Sequence, residues 1–149
     1  MSTDGRTPAT ATDAAARAFI PVRVLIAAGA AVVLDLIVLW IASAGGASLI
    51  VTPPGAPGSI QVDAVAVTLT VVVPMVVVGA GVWLLTRRWP AIRLWAAWAG
   101  LAFGVLSAAL PLTVEADLGT KLALASMHVI TGVAWFVALV RGPRPSRDS

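Results

Sequence analysis

Two side chains in this sequence have the type and the setting to do chemistry, Asp35 and His128. Asp35 interrupts the apolar run VVLDLIV, a setting in which an ionised carboxylate costs at least a few kcal/mol on the lenient membrane-insertion scale. Low dielectric favours the neutral acid. Such a group can carry a proton, act as general acid or base, or anchor a ligand. Its plainer use is as a neutral carboxylic acid hydrogen-bonded to a neighbouring helix. His128, the only histidine, stands in LALASMHVITG. An imidazole there can bind a ligand or move a proton, and its plainer use is packing with one nitrogen on a carbonyl.

Fewer polar residues support these two. Thr68, Thr70, Ser107 and Thr131 are the hydroxyls at comparable positions, and Asp63, Glu115, Asp117 and Lys121 flank the apolar segments. The threonines carry a strong alternative, because they commonly bond the carbonyl four residues back in their own helix. No phosphate-binding loop, no nucleophile–base–orienter set and no paired carboxylates occur, so no residue is assigned as catalytic. The ligand- or proton-binding candidates are Asp35, His128, Ser107, Thr70 and Asp117.

The elements that must position them are four apolar stretches, at about 22–44, 63–86, 91–112 and 120–141. At 1.5 Å per residue each can cross a hydrocarbon core of roughly 30 Å. Inside a bilayer a segment satisfies its backbone only as a helix, so the valine-rich second stretch reads as helix despite its β-propensity. Short connections make neighbours antiparallel. The expected architecture is an all-α integral membrane four-helix bundle. Asp35 and His128 then lie roughly 12–14 Å below the same end, and a direct hydrogen bond between them is geometrically allowed. Ala28, Ala31 and Ala42 share the helical face of Asp35, so that face should turn inward.

Composition agrees with the membrane reading and removes whole classes. The 149 residues are 59% hydrophobic and 11% charged, against about a quarter charged in soluble domains. Zero cysteines exclude disulfides, thiol redox chemistry and iron–sulfur clusters, and one histidine cannot build a multi-histidine metal site. No cofactor and no metal are expected. The pI near 11.1 resembles that of a nucleic-acid binder, but the net charge is only +3.

Those bases instead report topology. Arg6, Arg17, Arg23, Arg87, Arg88, Arg93, Arg141, Arg144 and Arg147 fall on one side of the four stretches, and only Lys121 on the other. That bias places both termini and the middle turn in the cytoplasm, with anionic lipid rather than nucleic acid as the basic residues' partner. Trp83, Trp89 and Trp95 near the inner level and Trp40 near the outer form part of an aromatic belt. Residues 1–20 and 142–149 have the composition of disordered cytoplasmic tails, with room for a short helix over 13–19. Ala42-Ser43-Ala44 has the form of a signal-peptide cleavage site, but its apolar region is long and broken by Asp35, so a retained span is expected. Residues 45–62, rich in proline and glycine, should cap the outer mouth or merely connect.

Helices in lipid associate by close packing of small residues. Ala96, Gly100, Gly104 and Ala108 recur every four residues on one face of the third stretch. Packing within the chain is the commoner use of such a stripe, and a homodimer face is the other. Pro74 should kink the second stretch and free the carbonyl near Thr70.

The second half carries a resemblance. Leu106-Ser107, Pro111-Leu112, Asp117, Thr120-Lys121, Leu122-Ala123-Leu124 and Met127-His128, with the Arg87-Arg88 turn and Arg93-Leu94-Trp95, resemble a family of small four-span membrane proteins. That family, catalogued as domain of unknown function 6069, occurs in high-GC actinobacteria. The resemblance implies a multi-pass plasma-membrane protein and supplies no activity. The leading functional expectation is a non-enzymatic membrane protein of unknown role, with an outward-opening pocket around Asp35 and His128 that could take a lipid or small apolar molecule. A proton-coupled small-molecule transporter using Asp35 is second. It would resemble the small multidrug exporters, whose dual topology the nine-to-one charge bias disfavours. A membrane-embedded isomerase or cyclase using Asp35 and His128 is third.

Overall fold

The computed structural model describes residues 11–141, with side chains from residue 21 onward. Four helices dominate it: α1 (Ala11–Ala44), α2 (Ala64–Thr86), α3 (Ile92–Ser107) and α4 (Leu118–Val140). All four apolar segments reach membrane length, α3 by counting on to Leu112. The chain is therefore an all-α membrane bundle. A two-stranded antiparallel hairpin, β1 (Ile50–Val51) and β2 (Ile60–Gln61), lies between α1 and α2.

Local chemistry sets the helix ends. α1 stops in a Schellman motif: Ala47 N–H bonds Ala42 O at 3.0 Å, Gly46 N–H bonds Ser43 O at 3.0 Å, and Gly46 takes φ +86°. Asp63 caps α2 by accepting from Ala66 N–H at 2.7 Å, and Asp117 caps α4 by accepting from Thr120 N–H at 2.8 Å. α3 ends at Ser107 and is followed by a tighter 3-10 turn, Leu110–Leu112. Pro111 accounts for this departure from the single span expected over 91–112, because proline lacks the N–H that would continue the ladder.

The N-terminal boundary also differs. α1 runs through Pro21 from Ala11, so residues 11–20, assigned to a tail from composition, are helical here. The tail expectations for residues 1–10 and 142–149 lie outside the described residues.

Packing order is what shapes the site. α1 lies against α2 and α4, and α4 against α3, while α2 and α3 barely meet. The bundle is a ring with one loosely closed side. Two apolar clusters fill it. One gathers Val24, Ala28, Ala31, Val71, Met75, Val82, Ala97, Trp135 and Leu139, and the other Leu39, Leu49, Val67 and Met127. Asp35 falls between them along α1, wholly buried, with Ala28 and Ala31 buried on the same face and Ala42 half-buried.

The small-residue stripe of α3 is covered by α4. A Cβ on Gly104 would stand 2.7 Å from Gly132 Cα and 2.8 Å from His128 O, and one on Gly100 would collide with the Trp135 indole. Trp135 Nε1–H in turn donates to Ala96 O at 2.8 Å. Gly100 and Gly104 of the stripe therefore serve packing within the chain, the commoner of the two uses expected.

The loop at the opposite end from Arg23 and Arg141 is clamped to α4. Thr52 and Glu115 exchange both backbone hydrogen bonds, at 3.0 and 3.2 Å. Leu49, buried and at φ 55°, donates its N–H to Thr120 Oγ1 at 3.0 Å. Thr120 Oγ1–H donates to Asp117 Oδ2 at 2.7 Å, and that carboxylate also accepts from Ser48 N–H and Oγ–H at 3.0 and 2.6 Å. Residues 45–62 are thus a fastened cap rather than a passive connector.

Candidate functional site

A cavity of about 520 Å³ occupies the loosely closed side of the ring. Ligand sites commonly fall between about 300 and 1,000 Å³. α2 supplies one wall through Val67, Thr70, Pro74 and Val78, and α3 and α4 supply the other through Phe103, Ser107, His128 and Trp135. Ile60 and Gln61 of the hairpin strand β2, with Val62 just after it, form its roof. Pro74 helps to shape the first wall, since its ring leaves the Thr70 carbonyl without the usual partner. Phe103, 72% exposed, flanks the gap between α2 and α3. Of the lateral walls, the one between α2 and α3, where a bilayer's chains would lie, is therefore the least closed.

Four of the five candidate residues line this cavity: Asp35, His128, Ser107 and Thr70. The fifth, Asp117, does not. It is the anchor of the cap, and its four hydrogen bonds, those from the Ser48 hydroxyl foremost, hold its carboxyl well below the usual carboxylate range.

Asp35 and His128 share the wall but do not bond each other. Thr131 Oγ1–H donates to Asp35 Oδ2 at 3.2 Å, while Asp35 Oδ1 is buried with no hydrogen-bond partner. His128 Nδ1 lies 2.7 Å from Leu124 O, one turn back on α4. A carbonyl only accepts, so Nδ1 carries a proton, and in the neutral form of the ring Nε2 is then the acceptor. Rotation about α4 decides this outcome: it turns Thr131 rather than His128 toward α1, a quantity that depth along the helices does not contain.

The hydroxyls divide in the same way. Thr70 donates to Ala66 O at 2.8 Å and Ser107 to Gly104 O at 3.2 Å, each within its own helix. Thr68 does likewise with Ala64 O at 2.7 Å. Thr131 alone among these four spends its proton on another helix. Its lone pairs remain as acceptors on the cavity wall. Sequence reasoning placed Thr131 one turn from His128 but did not single it out, and it missed Trp135 as a wall and Ser48 and Thr120 as cap partners. The spacing of three residues between His128 and Thr131 was the available signal, since it puts both on one face.

With this geometry in hand, the chain can be set beside known proteins. The model for a family of unknown function, DUF6069, matches residues 15–145. The chain belongs to DUF6069. That match takes in α1 from residue 15 onward, the whole of α2, α3 and α4, the cap and every residue of the cavity wall. No curated protein and no solved structure matches the chain. Among the described residues no three His, Cys, Asp or Glu side chains stand together as a metal-binding group. What the site offers is a polar patch in an otherwise apolar chamber, with His128 Nε2 and Thr131 Oγ1 as acceptors and Asp35 hydrogen-bonded to Thr131.

Proposed function

We propose that this DUF6069 protein holds a single apolar molecule carrying one hydroxyl or amine, which enters sideways between α2 and α3. The observation that carries the reading is the pair of acceptors, His128 Nε2 and Thr131 Oγ1, in a polar patch of an otherwise apolar cavity. A ligand group that donates a hydrogen bond satisfies them. One that only accepts leaves them unpaired at a cost of roughly 1–3 kcal/mol. The nine-to-one distribution of basic residues orients the protein with both termini and the Arg87–Arg93 turn in the cytoplasm, and the plasma membrane is the proposed location.

This reading is favoured over proton-coupled transport because Asp35, although it lines the cavity, is wholly buried and tied to Thr131 by a hydrogen bond. It is favoured over acid–base catalysis because Asp35 and His128 are tied to separate partners, and neither orients the other.

The test is a thermal-shift series with molecules of one chain length: dodecanol, dodecylamine and dodecyl methyl ether. Stabilisation by the alcohol and the amine but not the ether, with the difference lost in His128→Ala, supports the reading. Equal shifts from all three, or an unchanged pattern in His128→Ala, reject it.

A further inference from the structure

On the other side of α4 a second concavity of about 660 Å³ runs between α1 and α4. Arg23 and Arg141 stand at one end of it, and every other lining residue is apolar. Along α1 the groove extends from Arg23 to Leu34, eleven residues or about 16 Å, and along α4 from Arg141 back to Val129, twelve residues or about 18 Å. Half of a hydrocarbon core is about 15 Å. The groove is therefore as long as one leaflet is deep and is charged only where that leaflet's headgroups lie. Ala27, Ala30, Ala134 and Ala138 make up its small-residue walls.

We propose that this groove is a binding site for one anionic phospholipid, its acyl chain along α1 and α4 and its phosphate between Arg23 and Arg141. Guanidinium stays charged under all relevant conditions and matches phosphate with paired N–H donors. Arg23 already has a partner in the chain, and five N–H donors leave capacity for a phosphate oxygen as well. No acidic residue lines the groove, so an anionic lipid meets no repulsion there. The arginines of the α2–α3 turn are placed differently: Arg87 lies over the Trp83 ring at 3.9 Å and Arg88 over Trp89 at 5.7 Å. They contribute to the general basic belt, and the Arg23–Arg141 pair closes a groove.

Native mass spectrometry of the full chain in mild detergent tests this, with dioleoyl phosphatidylglycerol, dioleoyl phosphatidylcholine and inorganic phosphate as probes. One phosphatidylglycerol should stay bound roughly ten-fold more than phosphatidylcholine, given two arginines near the headgroup. Arg23→Gln with Arg141→Gln should bring the two lipids level, whereas Arg87→Gln with Arg88→Gln should leave the preference intact. Ala30→Phe with Ala134→Phe fills the groove and should release the lipid although both arginines remain. Equal retention of the two lipids by the unaltered protein overturns the proposal. So does an equal loss in the Arg87/Arg88 variant, retention in the filled-groove variant, or displacement by inorganic phosphate, which would mark a free-anion site.

Discussion

Thr131 on α4 donates its hydroxyl proton to Asp35 on α1 at 3.2 Å, so the one acid buried within a span is held by a hydroxyl from a helix that runs the other way. The bond joins α1 and α4 at the level where the two apolar clusters meet. It also fixes the direction in which Thr131 turns its lone pairs.

Removing that hydroxyl should be costly. Thr131→Val leaves both Asp35 oxygens buried without partners, for a loss of about 1–3 kcal/mol. Asp35→Ala removes the acceptor, and combining the two substitutions should cost clearly less than their sum. A double-mutant cycle of thermal unfolding in detergent measures this. Strict additivity would mean the bond contributes nothing.

The α3–α4 seam makes a sharper contrast. Gly104→Ala sets a methyl 2.7 Å from Gly132 Cα and 2.8 Å from a carbonyl, both backbone atoms that cannot swing aside. Overpacking of this kind costs roughly 1–3 kcal/mol. Gly81→Ala meets nothing within 4 Å and should leave stability unchanged or slightly raised. Thermal midpoints of the two variants are the readout, and equal midpoints would count against the packing described.

Acid should loosen the cap. Asp117 is held below its ordinary value of 3.8 in the folded protein, chiefly by the Ser48 hydroxyl. Its contribution to stability is therefore complete above about pH 4, and it is lost as pH falls toward the folded value. Hydrogen-exchange protection at Leu49 and Val62, relative to the intrinsic rate at each pH, should fall below pH 4 in the unaltered protein. In Asp117→Asn, which keeps one acceptor but no charge, protection should already be lower at pH 7 and change little with acid.

The helices were legible because hydrocarbon imposes one rule on them, a long apolar run with internal hydrogen bonds, and four stretches obey it. The inward face of Asp35 could be read from Ala28 and Ala31 for a similar reason, since helical spacing fixes which residues share a side. Contacts between helices were not legible. Whether Asp35 meets His128 or Thr131 turns on the rotation of α4, which no residue spacing within one helix records. The hairpin escaped notice because strands of two residues carry no periodicity, and its clamp joins Thr52 to Glu115 across 62 intervening residues. Pro111 did signal the end of α3, but the apolar residues beyond it masked the stop.

Native mass spectrometry of the protein released from its own membrane reads the occupancy of the cavity. Unaltered protein should carry one defined, non-phospholipid mass with a hydroxyl or amine. Thr70→Trp, which fills the cavity from the α2 wall, should be folded and lack that mass while still retaining phospholipid. An unaltered protein without such a mass, or a mass kept equally by Thr70→Trp, would contradict a ligand-holding cavity.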